Sequence, residues 1–211
     1  MIVLSHRGYW LTKEEKNTLT AFNRSISLGF GTETDIRDCL GQLVISHDMP
    51  IGQEMTFADF LALWPQKTKL PLALNIKADG LAVKVKQILA DYDYQNYFLF
   101  DMSIPDMVQC LKHDLKVFAR MSDIEKQPCC YEQVKGIWLD AFFDTWYQAK
   151  DIQRFLDDGK QVCIVSPELH GRPYHNLWQM LLDDNLYKHP NLLLCTDVPE
   201  EAVKFLGLGN D

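Results

Sequence analysis

Nine short apolar runs punctuate the chain, at residues 2–5, 32–36, 43–46, 72–76, 97–100, 116–119, 136–139, 161–165 and 191–195. Most are continuous rather than alternating, the pattern of parallel strands covered on both faces. Between them the periodicity becomes helical. In the first such stretch Asn17 can cap, Leu19, Phe22 and Ile26 share a face, and Gly29 follows the end. Further helical stretches span 56–64, 80–91, 104–111, 147–158, 174–184 and 198–206. The segment 122–131 predicts only a short helix and carries Pro128. With 43–46 read as a continuation of the second strand past a turn at Leu40-Gly41-Gln42, about eight strand–helix units remain. The fold class expected is α/β, a TIM-like (βα)8 barrel forming a single domain over residues 1–211, with a doubly wound open sheet as the alternative. No G-x-G-x-x-G follows any strand, so a dinucleotide-binding version lacks support.

Composition narrows the partners. The 21 Lys and Arg against 29 Asp and Glu leave a formal charge of -8, which argues against nucleic-acid and anionic-membrane binding. No stretch approaches the ~18 apolar residues of a membrane span, and Ile2-Val3-Leu4 is too short for a secretory core, so the expected location is cytoplasmic with no integral membrane segment. The six cysteines include no C-x-x-C pair and read as free, mostly buried thiols.

Chemistry gathers at the strand ends. In a parallel barrel, functional groups come from the C-terminal ends of strands and the loops beyond them. Those positions hold His6 and Arg7, Glu33 and Asp35, His47, Asn75 and Lys77, then Asp101, Arg120, Asp140, Glu168 and Asp197. Glu33 and Asp35 lie two apart, so a strand points both to one side, where they repel unless a cation or proton lies between them. Hard divalent cations prefer such oxygens. His6 and His47 titrate near neutrality and suit general acid and base duty, with Arg7 and Asp48 beside them. Arg7 and Lys77 are suited to binding a phosphate and offsetting its charge. Together these groups are equipment for metal-assisted cleavage of a phosphate ester.

Several segments carry a family resemblance: Ser5-His6-Arg7-Gly8, Asn17-Thr18 with Ala21-Phe22, the stretch from Gly29 to Asp35, Val44-Ile45-Ser46-His47-Asp48, and Cys195-Thr196-Asp197-Val198-Pro199. Their order and spacing resemble the glycerophosphodiester phosphodiesterases, whose pattern is H-R-G, N-T-x-x-A-F, E-x-D, H-D and a late T-D-x-P. The resemblance implies a TIM-like barrel that hydrolyses a small phosphodiester with Mg2+ or Ca2+, a phosphoric diester hydrolase. It implies His6 and His47 as the acid/base pair, Glu33 and Asp35 as metal ligands, and Arg7 and Lys77 as phosphate-binding cations.

The chain departs from that pattern at defined places. Asn75 stands where the third metal ligand is normally glutamate, and ligates only through an uncharged carbonyl oxygen. Asp101 and Glu168 are the carboxylates that could supplement it. Lys16 replaces the glutamate before N-T, and residues 166–173 replace an aromatic W-T-x-N stretch. If 166–173 is extended, Glu168, His170 and Arg172 face one side and form an anion-binding or substrate-reading loop; otherwise it is a Gly/Pro turn. Two alternatives to hydrolysis follow: a barrel that binds phosphorylated ligands without turnover, and lyase-type attack by a substrate hydroxyl giving a cyclic phosphate.

Overall fold

The computed structural model describes residues 1–64 and 70–209. Two compact units emerge, one of Met1–Ser5 with Phe118–Asp211, the other of His6–Val117. Strand β1 (Ile2–His6) belongs to the first unit up to Ser5 and delivers His6 to the second.

The unit His6–Val117 contains helix α1 (Leu19–Ser27), β2 (Gly31–Cys39), β3 (Gln42–Ile45), α2 (Phe57–Ala62), β4 (Leu72–Ile76), α3 (Ala82–Asp91), β5 (Tyr97–Phe100) and α4 (Ile104–Lys112). Strands β2, β4 and β5 run parallel, with Asp35 paired to Asn75 and Asn75 to Phe100. The run at 43–46 is not a continuation of β2. It turns back as β3, antiparallel to β2, because Leu40 and Gly41 both take left-handed backbone and close a hairpin. Every residue of β4 is buried, as its unbroken apolar run predicts. Thr56 and Ser103 cap α2 and α4 by accepting the N–H of Asp59 and Asp106.

Helix α1 differs from expectation in two respects. Its buried face is Ala21, Phe22 and Ser25, while Leu19 is 48% exposed. Its N-cap position falls on Thr18, and Asn17 does not cap: it takes left-handed backbone, φ 58°, and turns its amide toward β2. Phe22 instead anchors the helix, packing edge-on against Phe60 of α2 at 4.7 Å between ring centroids.

The unit Met1–Ser5 with Phe118–Asp211 contains β6 (Phe118–Met121), β7 (Gly136–Leu139), α5 (Ala149–Asp157), β8 (Gln161–Val165), α6 (His175–Asp183), β9 (Leu192–Thr196) and α7 (Pro199–Leu206). β1, β9, β8, β7 and β6 pair in that order, all parallel. No helix forms between β6 and β7; turns and bends replace it, and Ser122 Oγ accepts the N–H groups of Ile124 and Glu125. Residues 166–173 are not extended. Pro167–His170 form a 3-10 turn that Gly171 ends with left-handed backbone, φ 70°.

All six cysteines are free. Among the described residues, no helix is long and apolar enough to cross a membrane.

Candidate active site

Six of the sequence-predicted residues form one connected set in the unit His6–Val117. His6 ends β1, and its Nε2 lies 3.9 Å from Glu33 Oε2. Arg7 follows with left-handed backbone, φ 57°, which turns its N–H onto the same Glu33 oxygen at 3.1 Å. The Arg7 side chain then reaches Asp35, Nε to Oδ2 at 3.2 Å. From the end of β4, Lys77 Nζ approaches Asp35 Oδ1 at 3.5 Å and Asp101 Oδ2 at 3.9 Å. Glu33 and Asp35 do point to one side of β2, and both are buried.

Asn17 is the residue that sequence reasoning misplaced. Its Nδ2 donates to Asp35 Oδ2 at 2.9 Å, while its Oδ1 accepts from Thr34 Oγ1 at 2.8 Å. The available signal was the residue type itself, since asparagine tolerates left-handed backbone better than most side chains. Arg7, Lys77 and Asn17 therefore surround a carboxylate with no exposure to water. A buried charge persists when it is paired and hydrogen-bonded in this way.

Glu33 behaves differently. Burial pushes its carboxyl up to about 8, and the neighbouring charge of Asp35 adds to the rise against the opposing pull of Arg7 and Lys77. A proton-holding Glu33 beside an ionised Asp35 is one way for two converging carboxylates to coexist. A cation between them is the other.

His47 stands apart from the set. Its side chain is 40% exposed, its Nδ1 pairs with Asp48 Oδ1 at 2.8 Å, and its carbonyl accepts from Arg37 Nε. The imidazole beside it holds the Asp48 carboxyl below its ordinary range, with smaller pulls from Arg7 and Arg37. No direct contact joins His47 to Glu33, Asp35 or His6 among the described residues.

Asn75 lies beside Asp35 in register on the adjacent parallel strand. Its Oδ1 is buried with no hydrogen-bond partner, and so is Asp35 Oδ1. Buried acceptors without donors are uncommon and call for an explanation. A hard divalent cation satisfies both, because it takes carboxylate and amide oxygens alike. The residues thus fit such an ion, with one limit: the described residues contain no group of three His, Cys, Asp or Glu placed to hold a metal. The donor set is two carboxylates and an amide.

The remaining predicted residues belong to the other unit. Glu168 accepts from Thr196 Oγ1 and from the N–H of Asp197, so it ties the turn after β8 to the end of β9. His170 Nε2 meets Asp140 Oδ1 at 2.7 Å, and Arg172 donates to the carbonyl of Ala141. His170 and Arg172 therefore do converge, through the 3-10 turn rather than an extended segment.

No family model matches the chain, and no curated protein matches it. Solved structures do. A phosphodiesterase from Oleispira antarctica, in complex with the product sn-glycerol-3-phosphate, superposes with a TM-score of 0.71 at 14% identity, over 98% of this chain and 97% of that one. A glycerophosphodiester phosphodiesterase from Agrobacterium tumefaciens gives 0.69 at 14% identity, over 99% and 100%. Another from Parabacteroides distasonis gives 0.67 at 17% identity, over 98% and 97%. The chain has the fold of the glycerophosphodiester phosphodiesterases. That fold is α/β and TIM-like, as the spacing of the apolar runs predicts.

Proposed function

We propose that this protein is a metal-dependent phosphodiesterase that cleaves a small phosphodiester by histidine acid–base catalysis. The observation that supports this reading best is the convergence of His6, Arg7 and Lys77, at the ends of β1 and β4, on Glu33 and Asp35 within β2. Glu33, Asp35 and Asn75 would hold Mg2+ or Ca2+, which supplies charge to polarise the phosphoryl oxygens. Arg7 spends Nε on Asp35 and keeps its two terminal nitrogens for a phosphate oxygen; Lys77 adds a second positive charge. One of His6 and His47 takes the proton from the attacking water. The other protonates the departing alcohol as the phosphorus–oxygen ester bond breaks. Asp48 orients the imidazole of His47 and fixes which ring nitrogen is left for the reaction.

The test is hydrolysis of a panel of glycerophosphodiesters, lysophospholipids and a chromogenic diester, with and without chelator, and with products checked for cyclic phosphate. Chelator-sensitive turnover that falls at least about 100-fold in both His6→Ala and His47→Ala supports the reading. Near-normal activity in either folded variant overturns the assignment of that histidine. A cyclic product would move the reaction to the lyase type without moving the residues.

The two-carboxylate donor set also favours a second reading, a barrel that binds phosphorylated ligands without turnover. Binding of inorganic phosphate with no hydrolysis of any diester, at saturating Mg2+ and Ca2+, would decide for it.

A further inference from the structure

Nine large apolar side chains are exposed among the described residues, and they occupy only one kind of place along the chain. Each lies in a segment that follows the end of a strand, no farther on than the first turn of the next helix. None of the nine lies between a helix and the strand after it, and none lies deeper within a helix. Seven belong to the unit His6–Val117. Leu11 and Leu19 follow β1, Val83 and Ile104 open α3 and α4, and Leu40, Met49 and Ile51 follow β2 and β3. In strand–helix units, strand ends and helix starts share one end of the sheet, and functional groups stand there. His6, Arg7 and Lys77 stand at that end of this unit.

The three most exposed of the seven are held outward by the fold. Leu40 is 95% exposed and takes left-handed backbone, φ 49°, in a hairpin turn that favours asparagine or aspartate at such a position. Ile51 is 80% exposed and Met49 78%. Lys84 Nζ donates to the carbonyl of Gly41 and so fixes the hairpin tip. The Glu54 carboxylate accepts the N–H groups of Ile51, Gly52 and Gln53 and so fixes the loop that carries Ile51. Leu40 links the two segments, its Cδ1 lying 3.7 Å from the point that a Cβ on Gly52 would occupy. The turn gains little packing from a leucine in this unfavourable backbone, so the side chain serves contact with something outside the fold.

Three features select the occupant. The apolar residues are separate tips on several segments, which suits entry among lipid chains better than the continuous core of a protein interface. Exposed charges on the same segments do not favour an anionic surface, since Lys13 and Lys84 stand with Glu14, Asp38, Asp48 and Asp79. The tips also share the end at which the candidate site stands. A protein seated there would obstruct the substrate, whereas a lipid surface can deliver it. We propose that this end of the unit His6–Val117 docks on a zwitterionic lipid surface through Leu40, Met49 and Ile51, so that the phosphodiester it receives is that of an amphiphile held there. The docking rests on the phosphodiesterase reading only for what it delivers.

The test is co-sedimentation of the full chain with vesicles of phosphatidylcholine, alone or mixed with phosphatidylglycerol. Saturable binding to phosphatidylcholine that phosphatidylglycerol does not strengthen supports the surface. Leu40→Asn combined with Ile51→Gln should weaken binding at least about tenfold, because each apolar side chain removed gives up its burial among the lipids. Asparagine suits the left-handed turn, so the melting temperature should be kept; Met49→Gln serves in its place if the double variant melts lower. Failure of the parent protein to bind phosphatidylcholine, or a folded double variant that binds as tightly as the parent, would overturn the proposal. So would binding that needs phosphatidylglycerol and is lost in about 0.5 M salt, which would mark attraction by charge. Self-association without vesicles, abolished in the double variant, would overturn it in favour of a second copy of the chain. His6→Ala separates the two readings, since it should bind vesicles like the parent. Docking by a parent protein that hydrolyses no diester would overturn the hydrolytic reading and keep the surface. Hydrolysis of a soluble chromogenic diester without docking would overturn the surface alone.

Discussion

Position 75 sets the character of the candidate metal site. An amide beside Asp35 leaves two carboxylates, Glu33 and Asp35, against two cations, Arg7 and Lys77, both in ion-pair contact with Asp35. Asn75→Glu would place a third carboxylate there. Without a cation, like charges in a buried site destabilise, so the variant should melt several degrees lower in chelator. With Mg2+ or Ca2+ the added ligand charge should tighten binding at least about tenfold by calorimetry. Equal affinity in both proteins would remove Asn75 from the ligand set. Glu168 allows a pH test at the same scale. Burial raises its carboxyl above the ordinary value, against the hydrogen bonds of Ser166, Thr196 and Asp197, and its Oε2 has no partner. A carboxyl raised on folding binds its proton more tightly in the folded state. Its stabilising contribution is present below the unfolded value and is lost as pH rises through the folded one. Glu168→Gln has no such loss, so its melting temperature relative to the parent protein should climb as pH rises through and above the ordinary glutamate range, about 4.3. A difference that stays flat over that range would mean that the folded Glu168 is not raised.

The loop between β1 and α1 shows how an element positions the site. Arg7, Gly8 and Asn17 all have left-handed backbone, with φ of 57°, 78° and 58°. Gly8 also lets the loop press on α1: a Cβ there would lie 2.8 Å from Cβ of Ala21. Gly8→Ala combines the left-handed penalty with overpacking and should cost about 2–4 kcal/mol in denaturant melts. Turnover should fall as well, because the turn aims both Arg7 and Asn17 at the carboxylates of β2. A variant as stable as the parent would show that the loop relaxes freely. The same loop marks the limit of what the sequence discloses. Strands β4, β5, β7 and β8 coincide with their apolar runs because burial on both faces leaves an unbroken signal. The carboxylates of β2 are legible too, since the two-residue period forces Glu33 and Asp35 to one side. Asn17 is not legible in this way. Helical periodicity reads it as a cap, whereas its backbone is left-handed and its amide donates to a buried carboxylate, Asp35, eighteen positions away while accepting from the hydroxyl of Thr34. The hairpin β2–β3 was hidden for a related reason, because its turn puts Leu40 in left-handed backbone, an unfavourable place for a branched side chain. The meeting of His170 with Asp140 was hidden as well. The sequence offered alternation along an extended segment or a Gly/Pro turn, and only the extended form promised convergence; a 3-10 turn ended by Gly171 achieves it instead.

At the scale of the whole molecule, charge and proposed substrate are in tension. The chain carries a formal -8, and a phosphodiester is an anion. The two cations at the candidate site do not form an attractive field, because Arg7 and Lys77 are balanced at close range by Asp35 and Asp101. On the proposed function, binding would depend on short-range contacts with Arg7, Lys77 and a divalent ion, while at longer range the net negative charge would repel the substrate. Repulsion of that kind is screened over about 10 Å at 0.1 M salt, whereas contacts within the buried site are screened far less. The expected result is a kcat/KM for an anionic diester that rises as ionic strength increases from about 0.01 M to 0.15 M, with the divalent cation held saturating. A chain that drew substrate in through a basic cleft would show the opposite slope. Charge reversal on the surface gives the complementary measurement. Replacing exposed carboxylates that are not part of the site, such as Asp183 and Asp184, by lysine should raise kcat/KM at low salt and leave it unchanged at high salt. A fall in kcat/KM with salt in the parent protein would show that local cations, rather than net charge, govern the approach of the substrate.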